Sequence, residues 1–357
     1  MAVFQATATG TDTIASTTYT LLDSMTLTPG TGDYVLSFTT SVYCSADSDI
    51  FFQVYVNGAA VAHTERVFRM ESSIITTGVA EIAQIYAYLP SVGAGQAVEI
   101  RWQRTSSGTA ECYQRTLTLQ EVSSSDLLQA TATGDTNTTS TTDVLIPSMT
   151  LDAASGDGDY VAYFSTSIYG DSGATIFISI YVNGVQVGHT QRRQTQESSI
   201  IDTEFILGIV SGLTLTDGDT VDVRWRTSAT DQITAHERTL VLQKVPSYDQ
   251  ATATGSTTTT NGAYTVLSGM TLTPGAGDYL AFFTSSFEND TGGSNQEMLH
   301  TIFDNGAQIT HTERNATSES SIPDTPLPAA THAYIAGVTS QTIDIRWQDG
   351  GAGTTTA

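Results

Sequence analysis

Positive charge is scarce in this sequence. Its 357 residues hold 13 Lys and Arg against 37 Asp and Glu, a formal net charge of −24, and Lys244 is the single lysine. Nucleic-acid binders neutralise phosphates with Lys and Arg clusters, and docking on an anionic membrane needs the same, so neither partner is expected. Excess carboxylate instead keeps a protein soluble at high local copy number. No run reaches the ~20 apolar residues of a membrane span. Met1–Gly10 has neither a basic nor an apolar stretch, so no secretory signal is read there. A β protein of this kind is then expected either to have lost a leader or to leave a cytoplasm inside a particle, the route of bacteriophage structural proteins. Phosphate-cradling Gly-Lys-Ser/Thr, zinc-binding His-Glu-x-x-His and paired-cysteine spacings are all missing. No acid pair recurs in the manner of a glycosidase. Gly170-Asp-Ser-Gly173 copies a protease nucleophile tetrapeptide without its companions and reads as a turn. The chain is therefore not expected to be an enzyme, and no cofactor is called for.

Repetition is what the sequence has in abundance. Gln-Ala-Thr-Ala-Thr-Gly stands at Gln5–Gly10, Gln129–Gly134 and Gln250–Gly255. Each copy continues with Met-Thr-Leu (from Met25, Met149 and Met270) and Gly-Asp-Tyr (Gly32–Tyr34, Gly158–Tyr160, Gly277–Tyr279). Asn-Gly follows (Asn57, Asn183, Asn305), then His-Thr-x-Arg (His63–Arg66, His189–Arg192, His311–Arg314). Glu-Ser-Ser-Ile begins at Glu71, Glu197 and Glu319, and Arg-Trp at Arg101, Arg224 and Arg346. Copies one and two close on Arg-Thr-Leu (Arg115–Leu117, Arg238–Leu240), and copy three has no such ending. A repeat of this length is one folded unit used three times.

The unit is β. Tyr34–Tyr43 and Tyr160–Tyr169 alternate apolar and polar residues, the pattern of a strand with one buried face. Asn-Gly between two such runs marks a hairpin, because a type I′ turn needs positive φ at both central residues. About eight strands per copy and no helical period indicate a sandwich or barrel. The fold class read here is all-β: three tandem antiparallel β-sandwich (jelly-roll) domains, the third lacking its last strand. The expected boundaries are 1–125, 126–248 and 249–357. Short linkers at Ser123–Leu128 and Pro246–Asp249 predict domains stacked as a semi-rigid rod. An unfilled strand position in copy three predicts a longer protein or a strand donated by another chain.

The Gly-Asp-Tyr strand, the Asn-Gly hairpin, Leu213–Trp225 and the closing Arg-Thr-Leu-x-Leu together resemble the tumour necrosis factor/complement-head jelly roll, carried by many bacterial and phage proteins. The resemblance covers all three copies. It departs at Ala94-Gly-Gln96 and Thr339-Ser-Gln341, where the Asp-Gly-Asp turn is replaced. It implies ten-strand sandwiches that often trimerise, so a homo-oligomer, with a trimer favoured, is the expected state. It also makes the strand ending at Cys44 a neighbour of the strand beginning at Cys112. A Cys44–Cys112 disulfide is then one reading, and two buried thiols the other.

Three sets of residues invite a role. His63, His189 and His311 are equivalent; a hydrogen-bonded structural histidine is the leading reading, a metal shared on a threefold axis the minor one. Arg66/Glu71, Arg192/Glu197 and Arg314/Glu319 recur five residues apart, as a structural ion pair or carbonyl clamp bracing the loop, with a subunit interface as the second reading. The tips Tyr43–Asp49, Gly170–Thr175 and Asn289–Asn295 are candidates for meeting a host glycan or receptor.

The leading expectation is a bacteriophage virion surface protein, a fibre, spike or capsid decoration, held by other virion proteins. The alternative is a bacterial cell-surface adhesin or extracellular filament subunit.

Overall fold

The computed structural model describes residues 2–45, 48–70, 80–106, 108–152, 156–171, 173–195, 205–289, 296–318, 326–350 and 354–357. Among them are strands and four three-residue 3-10 turns, arranged as six antiparallel sheets in three pairs. In the first pair one sheet runs Val3–Ala8, Ala110–Val122, Gly32–Cys44, Glu81–Val92, with Asp12–Ile14 also on Ala110–Val122. Its partner sheet runs Thr20–Leu27, Val98–Arg104, Ser48–Val56, Ala59–Ala60, with Arg66–Met70 also on Ser48–Val56. The second pair repeats this order strand for strand between Leu127 and Val245. These are jelly-roll β-sandwiches, with ten strands each in the first two. The two strands beyond the eight legible by alternation are too short to show a period.

The third pair differs at two adjacent places: the described residues 248–254, counterparts of Val3–Ala8 and Leu127–Ala132, form no strand, and the last strand is shortened. Where Ala110–Val122 and Ile233–Val245 lie, the described residues offer Thr355–Thr356 alone, paired with Glu288–Asn289. Tyr279, Leu280 and Ala281 are consequently half-buried, whereas their counterparts Tyr34, Val35 and Leu36 are buried.

The repeated motifs build the sandwich locally. Asn57-Gly58, Asn183-Gly184 and Asn305-Gly306 have φ of 50/79°, 50/76° and 50/80°, the left-handed pair of a type I′ turn. In Gly-Asp-Tyr the tyrosine hydroxyl donates to a carbonyl four residues back, Tyr34 to Gly30 (3.0 Å), Tyr160 to Gly156 (2.6 Å) and Tyr279 to Gly275 (3.1 Å). A Cβ at Gly32 would stand 3.2 Å from that hydroxyl, a tight fit that glycine avoids. The aspartate caps the neighbouring strand's turn: Asp33 accepts from the Ser91 amide and Asp278 from the Gly337 amide. Trp102, Trp225 and Trp347 fill the three interiors. Copies one and two share a further clamp: the Arg115 guanidinium donates to the carbonyls of Gly10 and Asp23, and Arg238 does the same with Gly134 and Pro147. It ties the end of Gln-Ala-Thr-Ala-Thr-Gly to the Met-Thr-Leu strand.

Two expectations are corrected. The rod is replaced by a ring: the third sandwich returns to the first, with Thr317 donating to the Ala80 carbonyl (2.8 Å) and Asn315 to Ser41 Oγ (2.9 Å). A rod would keep the first and third sandwiches apart. The linkers are short because they connect neighbours around a ring, and Leu127–Leu128 already belong to a strand. The disulfide is also not formed. The strands are neighbours, but Cys44 faces Ala110 and Cys112 faces Val42, an offset of two residues. Such diagonal neighbours stand roughly 7–8 Å apart at Cα, too far to bridge without moving backbone. Burial pushes the Cys112 thiol far above its usual range. Alkylation of the denatured, unreduced chain should therefore add two labels by mass spectrometry, and reductant should leave the melting temperature unchanged.

Candidate functional site

Each seam of the ring is built around an arginine from the same repeated motif. Arg66 of the first sandwich donates through Nη1 to the carbonyls of His63 (3.0 Å) and Glu65 (2.7 Å) on its own loop. Its Nη2 crosses to the second sandwich, to the Ser165 carbonyl (2.9 Å) and Oγ (2.8 Å) and the Thr239 hydroxyl (3.3 Å). Arg192 reaches the carbonyl (2.7 Å) and hydroxyl (2.6 Å) of Thr284 in the third. Arg314 closes the ring on the Thr39 carbonyl (2.9 Å) and hydroxyl (2.7 Å) and the Thr116 hydroxyl (3.2 Å). Burial pulls these guanidinium groups down to about 9 (Arg66, Arg314) and about 10 (Arg192), so all three stay charged at neutral pH. The carbonyl clamp exists, and its far end grips another domain. The partner carboxylates expected for it, Glu71, Glu197 and Glu319, lie outside the described residues.

Beside each arginine the next residue's amide donates across the seam to a serine: Val67 to Ser167 (2.7 Å), Arg193 to Ser286 (2.8 Å), Asn315 to Ser41 (2.9 Å). The glutamine of Gln-Ala-Thr-Ala-Thr-Gly is the third latch. Its side-chain oxygen accepts a strand amide of the preceding sandwich: Gln129 from Tyr88, Gln250 from Gly212, and Gln5 from Tyr334, each at 2.7 Å. Sequence reasoning missed this use of the glutamine. Its recurrence was the available signal, but nothing in one strand shows that a polar side chain faces a neighbour.

The histidines occupy the seams. His63 Nδ1 lies 3.0 Å from the Thr239 hydroxyl and His311 Nδ1 2.9 Å from that of Thr116. Both hydroxyls belong to Arg-Thr-Leu of the neighbouring sandwich, as Arg238–Leu240 and Arg115–Leu117. His189 instead meets Ser211 Oγ (3.0 Å) and the Gln250 amide nitrogen (2.6 Å). The three thus serve three separate seams, and no group of three or more metal-ligating side chains gathers among the described residues.

Where the three sandwiches meet, Tyr86, Tyr163 and Phe282 pack ring against ring, with centroids 5.8, 5.4 and 6.4 Å apart. His332 stacks on Phe282 and lies 3.0 Å from the Thr39 hydroxyl. The tips proposed for a receptor fall partly outside the described residues, at 46–47, 172 and 290–295.

No protein-family model and no curated protein matches the chain. Among solved structures it is similar to Eiger TNF from S. frugiperda, at 14% identity and a TM-score of 0.27, over 36% of this chain and 98% of that one. It is also similar to a protein solved for the triple jelly roll fold and turret assembly in an archaeal virus (9%, 0.22, over 98% and 90%). A tail fiber protein from an E. coli phage aligns at 9% and 0.19 over 69% of this chain and 40% of that one. Scores this low bear on neither function nor partners.

Hydrogen bonds to a charged group contribute about 1.5–3 kcal/mol each. Arg314→Met should therefore cost on the order of 3 kcal/mol in urea denaturation. Arg192→Met should cost less, because among the described residues its Nη2 bonds across the seam to Thr284 alone. Gln129→Leu strands the Tyr88 amide and should cost about 1–3 kcal/mol.

Proposed function

We propose that the chain is a structural protein of a bacteriophage virion surface, a pseudo-trimeric head made from one polypeptide. The observation that carries this reading is the closed ring. The repeated His-Thr-x-Arg arginine and the glutamine of Gln-Ala-Thr-Ala-Thr-Gly are both committed to holding one sandwich against the next. A chemistry-bearing protein aims its recurring polar residues at a reacting group; this one aims them at assembly. Joining three sandwiches covalently fixes their ratio and prevents dissociation on dilution, which suits a part displayed on a particle. The acidic balance of the sequence suits dense display. Other virion proteins would hold the ring, and its outer loops would meet a host glycan or receptor.

The family resemblance implies a trimer of chains. We propose instead that the ring satisfies the threefold contact within one chain. Light scattering of the purified protein should return a single-chain mass of 37.8 kDa; three times that mass would overturn this part. Electron microscopy of particles with an antibody to the chain should show it at the virion surface. Labelling confined to the bacterial envelope or to extracellular filaments would overturn the virion assignment in favour of an adhesin or filament subunit.

A further inference from the structure

The seams hold more than arginines. His63, His189 and His311 each sit on a 3-10 turn, three residues before the arginine that crosses the seam, and the carbonyl of each accepts a hydrogen bond from that arginine. The arginine's charge acts on each imidazole within the same interface. Each ring also faces a polar group from across the seam or the segment after it: Thr239, Gln250 and Thr116. We propose that these three histidines make the ring acid-labile, protonation of the imidazoles opening the seams between intact sandwiches.

The charges around each ring support that direction. His63 faces Arg66 on the adjacent strand. Glu65, bonded to the Tyr19 hydroxyl (2.6 Å), and Glu237 of the second sandwich act on the guanidinium. His311 faces Arg314 on the strand after it and His332 from the sheet behind. Glu313 is already bonded to Tyr264, Gln308 and Gln114. His189 faces Arg192, whose neighbour Arg193 pairs with Glu288 of the third sandwich. Glu65, Glu313 and Glu288 are bonded elsewhere, and the charge that acts on each of the three imidazoles is an arginine's. At His189 the conflict is also one of donors. The Gln250 oxygen accepts the Gly212 amide, which turns its NH2 toward His189 Nε2 at 2.6 Å. A proton on that nitrogen would set N–H against N–H.

Burial, then the neighbouring arginine, lowers His63 and His311 to about 4 and moves His189 down. The unfolded chain takes up these protons near the ordinary histidine value of about 6.5. Folded-state stability from His63 and His311 is therefore complete above that value, and His189 contributes with the same sign. The stability from His63 and His311 is lost as pH falls toward 4, and does not fall further below it. Acidification otherwise works the opposite way, because it relieves the self-repulsion of a chain with a net charge of −24.

Amide hydrogen exchange separates seams from cores. The Val67 and Asn315 amides, which donate across two seams to Ser167 and Ser41, should exchange about tenfold faster or more at about pH 5 than at about pH 7 after correction for intrinsic rates. Core amides such as those of Ile100 and Val223 should keep their protection. The His63→Gln/His189→Gln/His311→Gln variant should lose the acceleration, and His236→Gln, outside the seams and bonded to Asp135, should retain it. Seam amides as protected as core amides at about pH 5 in the wild type would overturn the proposal. So would a triple variant that opens as the wild type does. If the triple variant does not fold, the wild-type exchange profile decides alone.

Discussion

One buried cation per seam holds this molecule in its arrangement. An arginine sealed between two sandwiches cannot be left without acceptors, since an unpaired charge in the interior is prohibitively costly. In Arg66, Arg192 and Arg314 the residue's own loop serves Nη1, and Nη2 finds acceptors only when the next sandwich brings its Ser165, Thr284 or Thr39 carbonyl and hydroxyl into place. Apolar contact alone would let two sheets slide over one another, because it is non-directional. The guanidinium fork sets position and angle together. Once two seams are so aimed, the third sandwich has no freedom left, and its own arginine lands on the first.

Much of the sandwich was readable in the sequence, because its determinants are local. Asn-Gly needs only its own two residues to make a hairpin, and Gly-Asp-Tyr folds onto a carbonyl four residues away. Alternation from Tyr34 onward shows a face to be buried. The same local signals could not tell which sheet face meets another sandwich. The strand Gly32–Cys44 is buried nearly throughout, and its odd and even positions enter two different interiors, one inside the sandwich and one at the ring's centre. That double burial makes a rod untenable, and it lies in contacts between residues such as Thr39 and Arg314, 275 positions apart. The recurrence of arginine in a cation-poor chain did signal a shared task; the distance over which it acts was invisible. The cysteines show the same limit at smaller scale. Neighbouring strands could be inferred, but a two-residue offset in register could not.

The seams are alike without being the same. Thr239 and Thr116 from Arg-Thr-Leu complete the first and last, while at the middle seam His189 turns to Ser211 and Gln250. Among the described residues, only the middle seam carries an ion pair between Arg193 and Glu288, and Gln114 reaches Glu313 only at the last. The common latch gives geometry and the differences distinguish one junction from the others.

The ring's centre carries that distinction furthest. Register matches Ser37 with Tyr163 and Phe282, and Tyr86 with Val210 and His332. The large ring thus comes from one strand in the first sandwich and from the adjacent strand in the second, and the third supplies both Phe282 and His332. Three separate identical subunits would have to fill that space with three copies of one choice. Fusion into a single gene product lifts the requirement of self-complementarity, so each repeat evolves against two fixed neighbours. Reordering the repeats, or building the ring from three copies of any one of them, would leave its middle overcrowded or hollow.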